Sequence, residues 1–209
     1  MRIVRAGYEI LGEMDGQEML RHIECCGRVC YKSEEKIGAE SSAGFVRNII
    51  RRDHTSVIEH VSFTVRFIVD RGISHEIVRH RIASYSQEST RYCNYAGGKF
   101  GGEVTVIAPC FWSEGDPPFQ TWKAACEAAE ENYFRLLDQG ATPQEARSVL
   151  PGSLKTELMM TANLREWRHF LRLRTAKAAH PQVREVAIPL LSELQKKIPI
   201  IFDDIEVDG

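Results

Sequence analysis

One segment restricts the fold of this chain more than any other, because hydrophobic residues occupy every second position across residues 61–69. Polar or charged side chains fill three of the four positions between them, at Ser62, Thr64 and Arg66. Successive side chains of a β-strand point to opposite faces, so a period of two is typical of a strand with one apolar and one polar face. The segment therefore predicts the clearest strand of the chain.

Most of the remaining chain carries helical patterns. The predicted helices cover residues 14–31, 44–52, 73–82, 119–139, a short segment opening at Thr142-Pro143, 163–174 and 181–197. Gly140 is suited to end the 119–139 helix, Asn163 with Glu166 forms a variant of the capping box, and Pro181 suits a first helical turn. Short strands are predicted within residues 1–10 and at 103–108.

These elements predict one mixed α/β domain of the α+β type, spanning residues 1–209. Strands and helices alternate too rarely for a doubly wound sheet. The chain also has no GxGxxG and no GxxxxGK[ST] loop, which argues against a Rossmann or a P-loop fold. A chain of this length can bury one real core without disulfide bonds.

The charge balance excludes partners that are bound by bulk electrostatics. The 27 Lys and Arg residues nearly cancel the 29 Asp and Glu residues, and the formal net charge is −2. We therefore expect no nucleic-acid and no membrane partner. Of the cations, 19 are Arg and 8 are Lys. The forked guanidinium suits phosphates and carboxylates, although Arg usage also varies with genome composition.

Hydrophobic runs and cysteines point to a cytoplasmic protein. The longest apolar run near the C-terminus, residues 186–191, is far shorter than the roughly 20 residues of a spanning helix. Acidic residues stand where a signal peptide has its apolar stretch. No CxxC pair occurs, so we expect free thiols and neither a disulfide framework nor a zinc site. The six cysteines are Cys25, Cys26, Cys30, Cys93, Cys110 and Cys126.

The densest group of functional side chains lies at residues 79–92. It contains three Arg, one His, three Ser, one Thr, one Gln and two Tyr, with no Lys and no Asp. Guanidinium groups with hydroxyl and backbone donors predict an anion-binding site, and the aromatic rings could pack on a planar ligand. Arg79, His80 and Arg81 cannot all point one way, which favours two ligands, or one ligand and a subunit contact. The alternative is a charged helix end followed by a polar loop.

Two further groups are less specific. His54, Glu59 and His60 could hold a metal or form a polar turn that contacts a ligand, and their spacing is not that of HExxH. The C-terminal half carries several cations on helical segments. Among them, Arg168 and Arg172 stand four residues apart, partly facing solvent, where like charges repel unless an anion or an acid bridges them. The group consists of Arg147, Asn163, Arg165, Arg168, His169, Arg172 and Arg174.

The segment at 79–92 resembles the signature of the flavin-dependent thymidylate synthases, Arg-His-Arg, seven residues and then Ser, ending here at Ser89. Upstream, Ser56, Glu59 and His60 resemble the family's segment before the signature. Downstream, residues 146–151, 163–165 and 171–174 match its C-terminal half in order and spacing. The resemblance covers about residues 20–190.

The resemblance implies methylation of dUMP at C5 to give dTMP. The carbon would come from 5,10-methylenetetrahydrofolate and the hydride from FAD that NADPH has reduced, without a covalent enzyme nucleophile. It also implies the thymidylate synthase complementing protein fold, with a small, mainly antiparallel sheet flanked by helices. The family forms homotetramers whose active sites lie between subunits.

The resemblance also implies residue roles. FAD contacts are expected at Ser56, Arg79, His80, Arg81, Gln87, Asn163, Leu164, Arg165 and His169. Contacts to dUMP are expected at Glu76, Arg79, Gln87, Glu88, Ser89, Thr90, Arg91, Arg147 and Arg174. Arg174 would be the catalytic residue, because its contact with the uracil favours ionisation at N3. No metal is implied. An acid at Glu76 would repel a phosphate, so Glu76 would act through its backbone or on a base edge.

Two other classes of function stay open at this point. One is a non-catalytic nucleotide- or RNA-binding module built on the Arg-rich segment, against which the missing RNP and KH patterns and the neutral charge argue. The other is an enzyme that works through Cys110. Cys110 follows Pro109, as the nucleophile does in cysteine-dependent thymidylate synthases, but Phe111 stands where that family has His. We therefore predict a loop or core thiol at Cys110.

Overall fold

The computed structural model describes residues 1–98 and 101–207. Its strands are β1 (Arg2–Val4), β2 (Gly7–Leu11), β3 (Ser62–Asp70), β4 (Ala83–Gln87), β5 (Thr105–Ile107) and β6 (Lys155–Asn163). Its α-helices are α1 (Gly16–Val29), α2 (Ser41–Arg51), α3 (Arg71–Ile77), α4 (Pro117–Asp138), α5 (Pro143–Ala146), α6 (Leu164–Thr175) and α7 (Pro181–Lys197). Short 3-10 helices include Glu34–Lys36, Thr55–His60 and Arg147–Val149. None of the helices in this part of the chain is both long and apolar enough to cross a membrane.

The strands form two sheets. The larger one has the order β2-β3-β6-β4, and the smaller one pairs β1 with β5 in parallel. Strands β3 and β6 run in opposite directions, because Leu164 donates to the Val61 carbonyl while Thr64 and Thr161, further along each strand, share a hydrogen bond of 2.7 Å. The predicted mixed fold with a small, mainly antiparallel sheet is confirmed.

The chain divides into two compact units. The first consists of Met1–Gly7, Phe67–Arg79 and Tyr85–Met159, and the second of Tyr8–Arg66, His80–Ser84 and the chain from Met160 onward. The signature at 79–92 therefore contributes residues to both units. The expectation that residues 1–209 form a single domain stays a prediction.

The first unit has its core under the long helix α4. Val104, Val106 and Leu154 are buried there together with the rings of Tyr95 and Tyr133. The two rings lie edge to face with centroids 5.6 Å apart, and the Tyr133 hydroxyl accepts a hydrogen bond from the Tyr95 amide. Burial raises the pKa of both tyrosines, so they stay neutral donors inside this core.

The second unit is organised around helix α6. Trp167 is fully buried, stacks on Phe63 with centroids 4.8 Å apart, and donates its indole N–H to the Phe63 carbonyl. The Asn163 side chain caps α6 by accepting from the Glu166 amide at 2.9 Å, as the capping pattern predicts. Helix α7 packs beside α6 and buries Leu190 and Leu194. These contacts fix the functional residues that α6 carries.

Several predicted boundaries need correction. Helix α3 ends at Ile77 and not at residue 82, because the polar stretch after it enters strand β4. Residues 1–10 form two strands, β1 and β2, and the strand predicted at 103–108 is shorter, Thr105–Ile107.

The exposure of Arg168 also differs from the expectation. Arg168 was expected to face solvent partly, but it is only 5% exposed and binds Asp204. The six cysteines form no disulfide bond within the part of the chain that the structure describes.

Candidate functional site

In the first unit, helix α3 and strand β4 position Gln87. Asp70 caps α3 by accepting from the Ile73 amide at 2.7 Å, which sets the direction of the helix as it leaves β3. The Gln87 side-chain amide then donates to the Ser74 hydroxyl on α3 at 2.8 Å and to Thr156 on β6 at 3.3 Å. Gln87 is therefore held by two neighbouring elements before any ligand binds.

Glu88 is held by protein groups on three sides. Lys155 lies 3.2 Å from one carboxylate oxygen, the Tyr95 hydroxyl donates to the other at 3.5 Å, and Arg71 donates to the Glu88 carbonyl. The Glu88 amide bonds to the Glu157 carbonyl. Lys155 also pairs with Glu157 at 2.6 Å, so it compensates the charge of Glu88 only in part and lowers, without removing, the repulsion that Glu88 would exert on a nearby phosphate.

A cavity of about 470 Å³ in the first unit, which we call the cationic cavity, has the character of an anion site. Arg147 donates to the Thr90 hydroxyl across it at 3.1 Å. The described residues that line it include no carboxylate, so its electrostatic potential favours an anion. The polar and basic lining residues are Arg71, His75, Thr90, Gln144, Arg147 and Ser148.

A larger cavity in the same unit, about 760 Å³, has a mixed lining. It reaches Gln87 and Glu88 on β4, and it carries the cations Arg2, Arg5 and Lys155 opposite carboxylates. Glu103 and Glu157 belong to the same wall. Because both signs of charge line it, this cavity is a weaker candidate for a phosphate than the cationic cavity.

In the second unit, His80 is the centre of a buried polar cluster. Its Nε2 accepts from the Arg174 Nε–H at 3.0 Å, and its Nδ1 lies 3.3 Å from a Glu166 carboxylate oxygen. The His80 ring also meets the edges of His169 and Phe170, with centroids 5.4 and 4.9 Å away. Burial, followed by the positive charge of Arg174, lowers the pKa of His80 to about 4. His80 is therefore neutral at physiological pH.

The same cluster brings possible metal-ligand atoms together. One atom each of His80, Glu166 and His169 lies within 4.8 Å of the others. The Arg174 guanidinium, however, occupies Nε2 of His80 and places a positive charge beside the group. Arg174 therefore opposes a cation here, and the arrangement suits hydrogen bonding better than metal binding.

Next to this cluster, a cavity of about 400 Å³, here called the Ile82 cavity, opens at the start of α6. Arg165 forms an ion pair of 2.6 Å with Glu59, and Ile82 presents an aliphatic side chain that is 70% exposed. Its walls combine an apolar surface, one cation, the carboxylates of Glu59 and Glu166, and the N-terminus of α6. The lining residues are Glu59, Ile82, Asn163, Arg165, Glu166 and His169.

The comparisons with known proteins decide the family. The family model described as thymidylate synthase complementing protein matches residues 10–200. The chain belongs to this family. A flavin-dependent thymidylate synthase of Geobacter sulfurreducens is 35% identical over 189 residues, which are 87% of this chain and 80% of that protein. One from Corynebacterium glutamicum is 31% identical over 217 residues, covering 94% and 82%.

One solved structure has the same fold as this chain. It is a UMP/dUMP methylase, PolB from Streptomyces cacaoi, bound with 5-Br dUMP. The two folds superpose with a TM-score of 0.78 at 26% identity, over 97% of this chain and 96% of that one. The resemblance that the signature indicated is confirmed.

The predicted site residues of this family member fall into two groups. The first unit carries Glu76, Arg79, Gln87, Glu88, Ser89, Thr90, Arg91 and Arg147, and the second carries Ser56, His80, Arg81, Asn163, Leu164, Arg165, His169 and Arg174. Most expected dUMP contacts thus belong to one unit and most expected FAD contacts to the other. Leu164 is fully buried and its amide donates to the Val61 carbonyl, so the structure exposes no part of this expected FAD contact.

Sequence reasoning missed three residues of these clusters. Glu166 was assigned only a capping role, yet its carboxylate faces His80. Lys155 compensates Glu88, and Arg71 lines the cationic cavity. Lys155 belongs to β6, a strand that was not predicted, and Arg71, the first residue of α3, belongs to no motif in the sequence. The expected metal candidates His54 and His60 are not part of the cluster that the structure forms around His80.

Proposed function

We propose that this protein is a flavin-dependent thymidylate synthase. It methylates dUMP at C5 with the carbon of 5,10-methylenetetrahydrofolate, and it takes the hydride from FAD that NADPH has reduced. The single observation that carries the proposal is the cationic cavity, in which Arg147 and Thr90 are already joined by a hydrogen bond. Both residues are expected dUMP contacts, and an acid-free basic cavity suits the phosphate of a nucleotide.

The second unit fits a flavin. Reduced flavin supplies hydride, which no amino-acid side chain can do. Its ring system requires an apolar surface and its pyrophosphate requires cations, and the Ile82 cavity offers Ile82 for the first and Arg165 for the second. Exposed Arg81 and the N-terminus of α6 add positive potential near these residues. Arg165 would exchange its partner Glu59 for a phosphate when the flavin binds.

Arg174 is the residue to which we assign the activation of the uracil. A cationic guanidinium at the ring favours loss of the N3 proton, and the ionised ring is more reactive at C5. Arg174 is oriented through its Nε, which donates to His80. Two more of the expected contacts, Ser89 and Arg91, would bind the nucleotide, and they already share one local turn, in which the Ser89 hydroxyl accepts from the Arg91 amide.

A route through a covalent enzyme nucleophile is the second candidate, and the structure favours it less. Cys110 lies in an exposed turn of the first unit. It belongs neither to the described residues that line the cationic cavity nor to those that line the Ile82 cavity. We therefore assign Cys110 no chemical role.

We also propose the family's homotetramer, with active sites between subunits, for a cytoplasmic protein. Arg79, Arg81 and Arg91 are exposed on the chain described here, so their guanidinium groups are accessible to ligands or to another subunit. Arg91 lies over the exposed ring of Tyr92, 5.6 Å from its centroid. Sedimentation of the protein with and without FAD measures the oligomeric state, and a monomer would contradict this part of the proposal.

Binding of dUMP to the Arg147→Ala variant tests the phosphate assignment. A charged hydrogen bond contributes about 1.5–3 kcal/mol, so the dissociation constant should rise about 10- to 150-fold by calorimetry. The matched control is Arg135→Ala, which removes an exposed Arg of α4 that is paired with Glu131 and should leave binding unchanged. Deoxyuridine lacks the phosphate, so both variants should bind it with the same low affinity as the unsubstituted protein does. An Arg147→Ala variant with unchanged dUMP affinity would contradict the assignment.

A further inference from the structure

The cluster around His80 contains a residue with no assigned function, Glu166. Both His80 and Glu166 are almost fully buried, at 5% and 7% exposure. His80 lies between Glu166 on one side, 3.3 Å from Nδ1, and Arg174 on the other, 3.0 Å from Nε2. The three side chains therefore form a line in which a carboxylate, an imidazole and a guanidinium follow one another.

The hydrogen-bond directions in this line determine the tautomer of His80. The Nε–H of Arg174 can only donate, so Nε2 of His80 must carry a lone pair and no proton. A neutral ring then has its proton on Nδ1, which lies 3.3 Å from a Glu166 carboxylate oxygen without the geometry of a hydrogen bond, so Glu166 favours the proton there through its negative charge. In the other tautomer, the N–H of His80 would oppose the N–H of Arg174, and the lone pair of Nδ1 would face a negative charge.

Glu166 is itself fixed by the start of α6. Its amide is bonded to the Asn163 side chain at 2.9 Å, and it lies in the first turn of the helix, where the macrodipole favours a carboxylate. The neighbouring His169 is one helical turn away in the same cluster. The position of the Glu166 carboxylate is thus set by a capped helix terminus and by burial, before any ligand binds.

We propose that Glu166 is a positioning residue that orients the Arg174 guanidinium through His80. Glu166 holds the proton of His80 on Nδ1, and the lone pair on Nε2 then holds Arg174 by its Nε–H. This inference rests on the proposed function only where it assigns Arg174 to the uracil. The line of three side chains is a property of the second unit alone.

The proposal predicts a specific change on Glu166→Gln. The amide has nearly the shape of the carboxylate, but it carries no charge and can donate to Nδ1, so the ring is free to adopt the other tautomer. The Nε–H of Arg174 then loses its acceptor on His80. Loss of a residue that orients a metal-ligating side chain typically lowers activity about 10- to 100-fold, and we expect a similar fall in kcat when Arg174 loses its orientation. The dUMP dissociation constant should change much less than kcat, because Arg147, which we assign to the phosphate, is unaltered.

The experiment combines NMR of the ligand-free protein with steady-state kinetics. With ¹⁵N-labelled histidine and arginine, the unsubstituted protein should show His80 protonated on Nδ1 only and a slowly exchanging Arg174 Nε–H. In Glu166→Gln, protonation should move to Nε2 and the Arg174 signal should broaden or exchange. Glu166→Asp retains the charge and should keep part of the Nδ1 tautomer and part of kcat. Glu193→Gln, a partly buried Glu of α7 that binds the Tyr8 hydroxyl, is the control for a lost carboxylate.

Each outcome decides the question. His80 protonated on Nε2 in the unsubstituted protein would overturn the proposal without any variant. A shifted tautomer with an unchanged kcat would overturn it as well, and so would a Glu166→Gln variant whose kcat and dUMP affinity fall together. The control Glu193→Gln should change neither the His80 tautomer nor kcat, and an equal loss of kcat in both variants would also overturn the proposal. If the unsubstituted protein forms no dTMP, the proposed function fails, whereas the NMR arm still decides whether Glu166 orients Arg174 through His80.

Discussion

Asp204 holds two arginines of helix α6, and its removal should destabilise the second unit measurably. Arg168 donates two hydrogen bonds of 2.7 Å to the two carboxylate oxygens, and Arg172 donates one more of the same length. Arg168 is buried and also donates to the Ile201 carbonyl. The hydrogen bonds of Arg168, followed by its charge and that of Arg172, hold the pKa of Asp204 below its usual value.

The size of the effect follows from burial. Breaking a buried ion pair costs about 3–5 kcal/mol, because the remaining charge has no partner. The Asp204 side chain is 44% exposed, so water can partly solvate the two guanidinium groups once the carboxylate is removed. The Asn that replaces it also keeps one oxygen as an acceptor. We therefore expect Asp204→Asn to lower the free energy of unfolding by about 2–3 kcal/mol. Arg172 is 52% exposed, so Arg172→Ala should cost less than about 1 kcal/mol.

Urea unfolding followed by circular dichroism measures both values. The slope of the unfolding free energy against urea concentration should be the same for all variants, so the shift of the unfolding midpoint alone reports the loss of stability. The contribution of Asp204 should be complete above the unfolded pKa, near 4, and should disappear as the pH falls through the lower pKa of the folded state. Equal losses for Asp204→Asn and Arg172→Ala would refute the reasoning that burial of Arg168 sets the magnitude.

Three further predictions address the cores and the site. The pKa of His80 is ordinarily about 6.5 and is lowered to about 4 in the folded chain. The free energy of unfolding should therefore keep the full contribution of neutral His80 above pH 6.5 and fall by about 3 kcal/mol as the pH drops towards 4. His80→Gln should remove this pH dependence from the denaturation curves. In Gly16→Ala, the added Cβ would overlap the Lys197 carbonyl oxygen and should lower the melting temperature, whereas Gly44→Ala meets open space in α2 and should stabilise by about 0.5–1 kcal/mol. Cys110→Ser should keep its rate of dTMP formation; loss of turnover with FAD still bound would restore the cysteine route.

Elements with strong periodicity were predictable from sequence. Strand β3 alternates Val, Phe and polar residues, and all of its expected core positions are buried. Strand β6 was missed, although it alternates as well, because Thr156 and Ala162 on its buried face are weakly hydrophobic. Strand β4 lies at the edge of the sheet, and its five residues have no continuous apolar face. Periodicity therefore predicts a strand only where the buried face is strongly apolar.

The candidate site was predictable only as a set of residues. The spacing of the signature identified His80, and the C-terminal matches identified Arg174, but their hydrogen bond joins positions 94 residues apart. Likewise, Arg168 and Arg172 were expected to need a bridging acid, and Asp204 supplies it from a segment that carried no pattern of its own. Such contacts depend on tertiary packing, which no local pattern in one sequence records.

The most direct test of the proposed function is anaerobic turnover. The purified protein is supplied with FAD, NADPH, 5,10-methylenetetrahydrofolate and dUMP, and dTMP is measured by chromatography. The account predicts that dTMP forms, that its formation requires FAD, NADPH and the folate, and that Arg174→Ala abolishes it while FAD and dUMP still bind. Protein that binds FAD and dUMP and oxidises NADPH, yet forms no dTMP, would contradict the assignment of this chain as a thymidylate synthase.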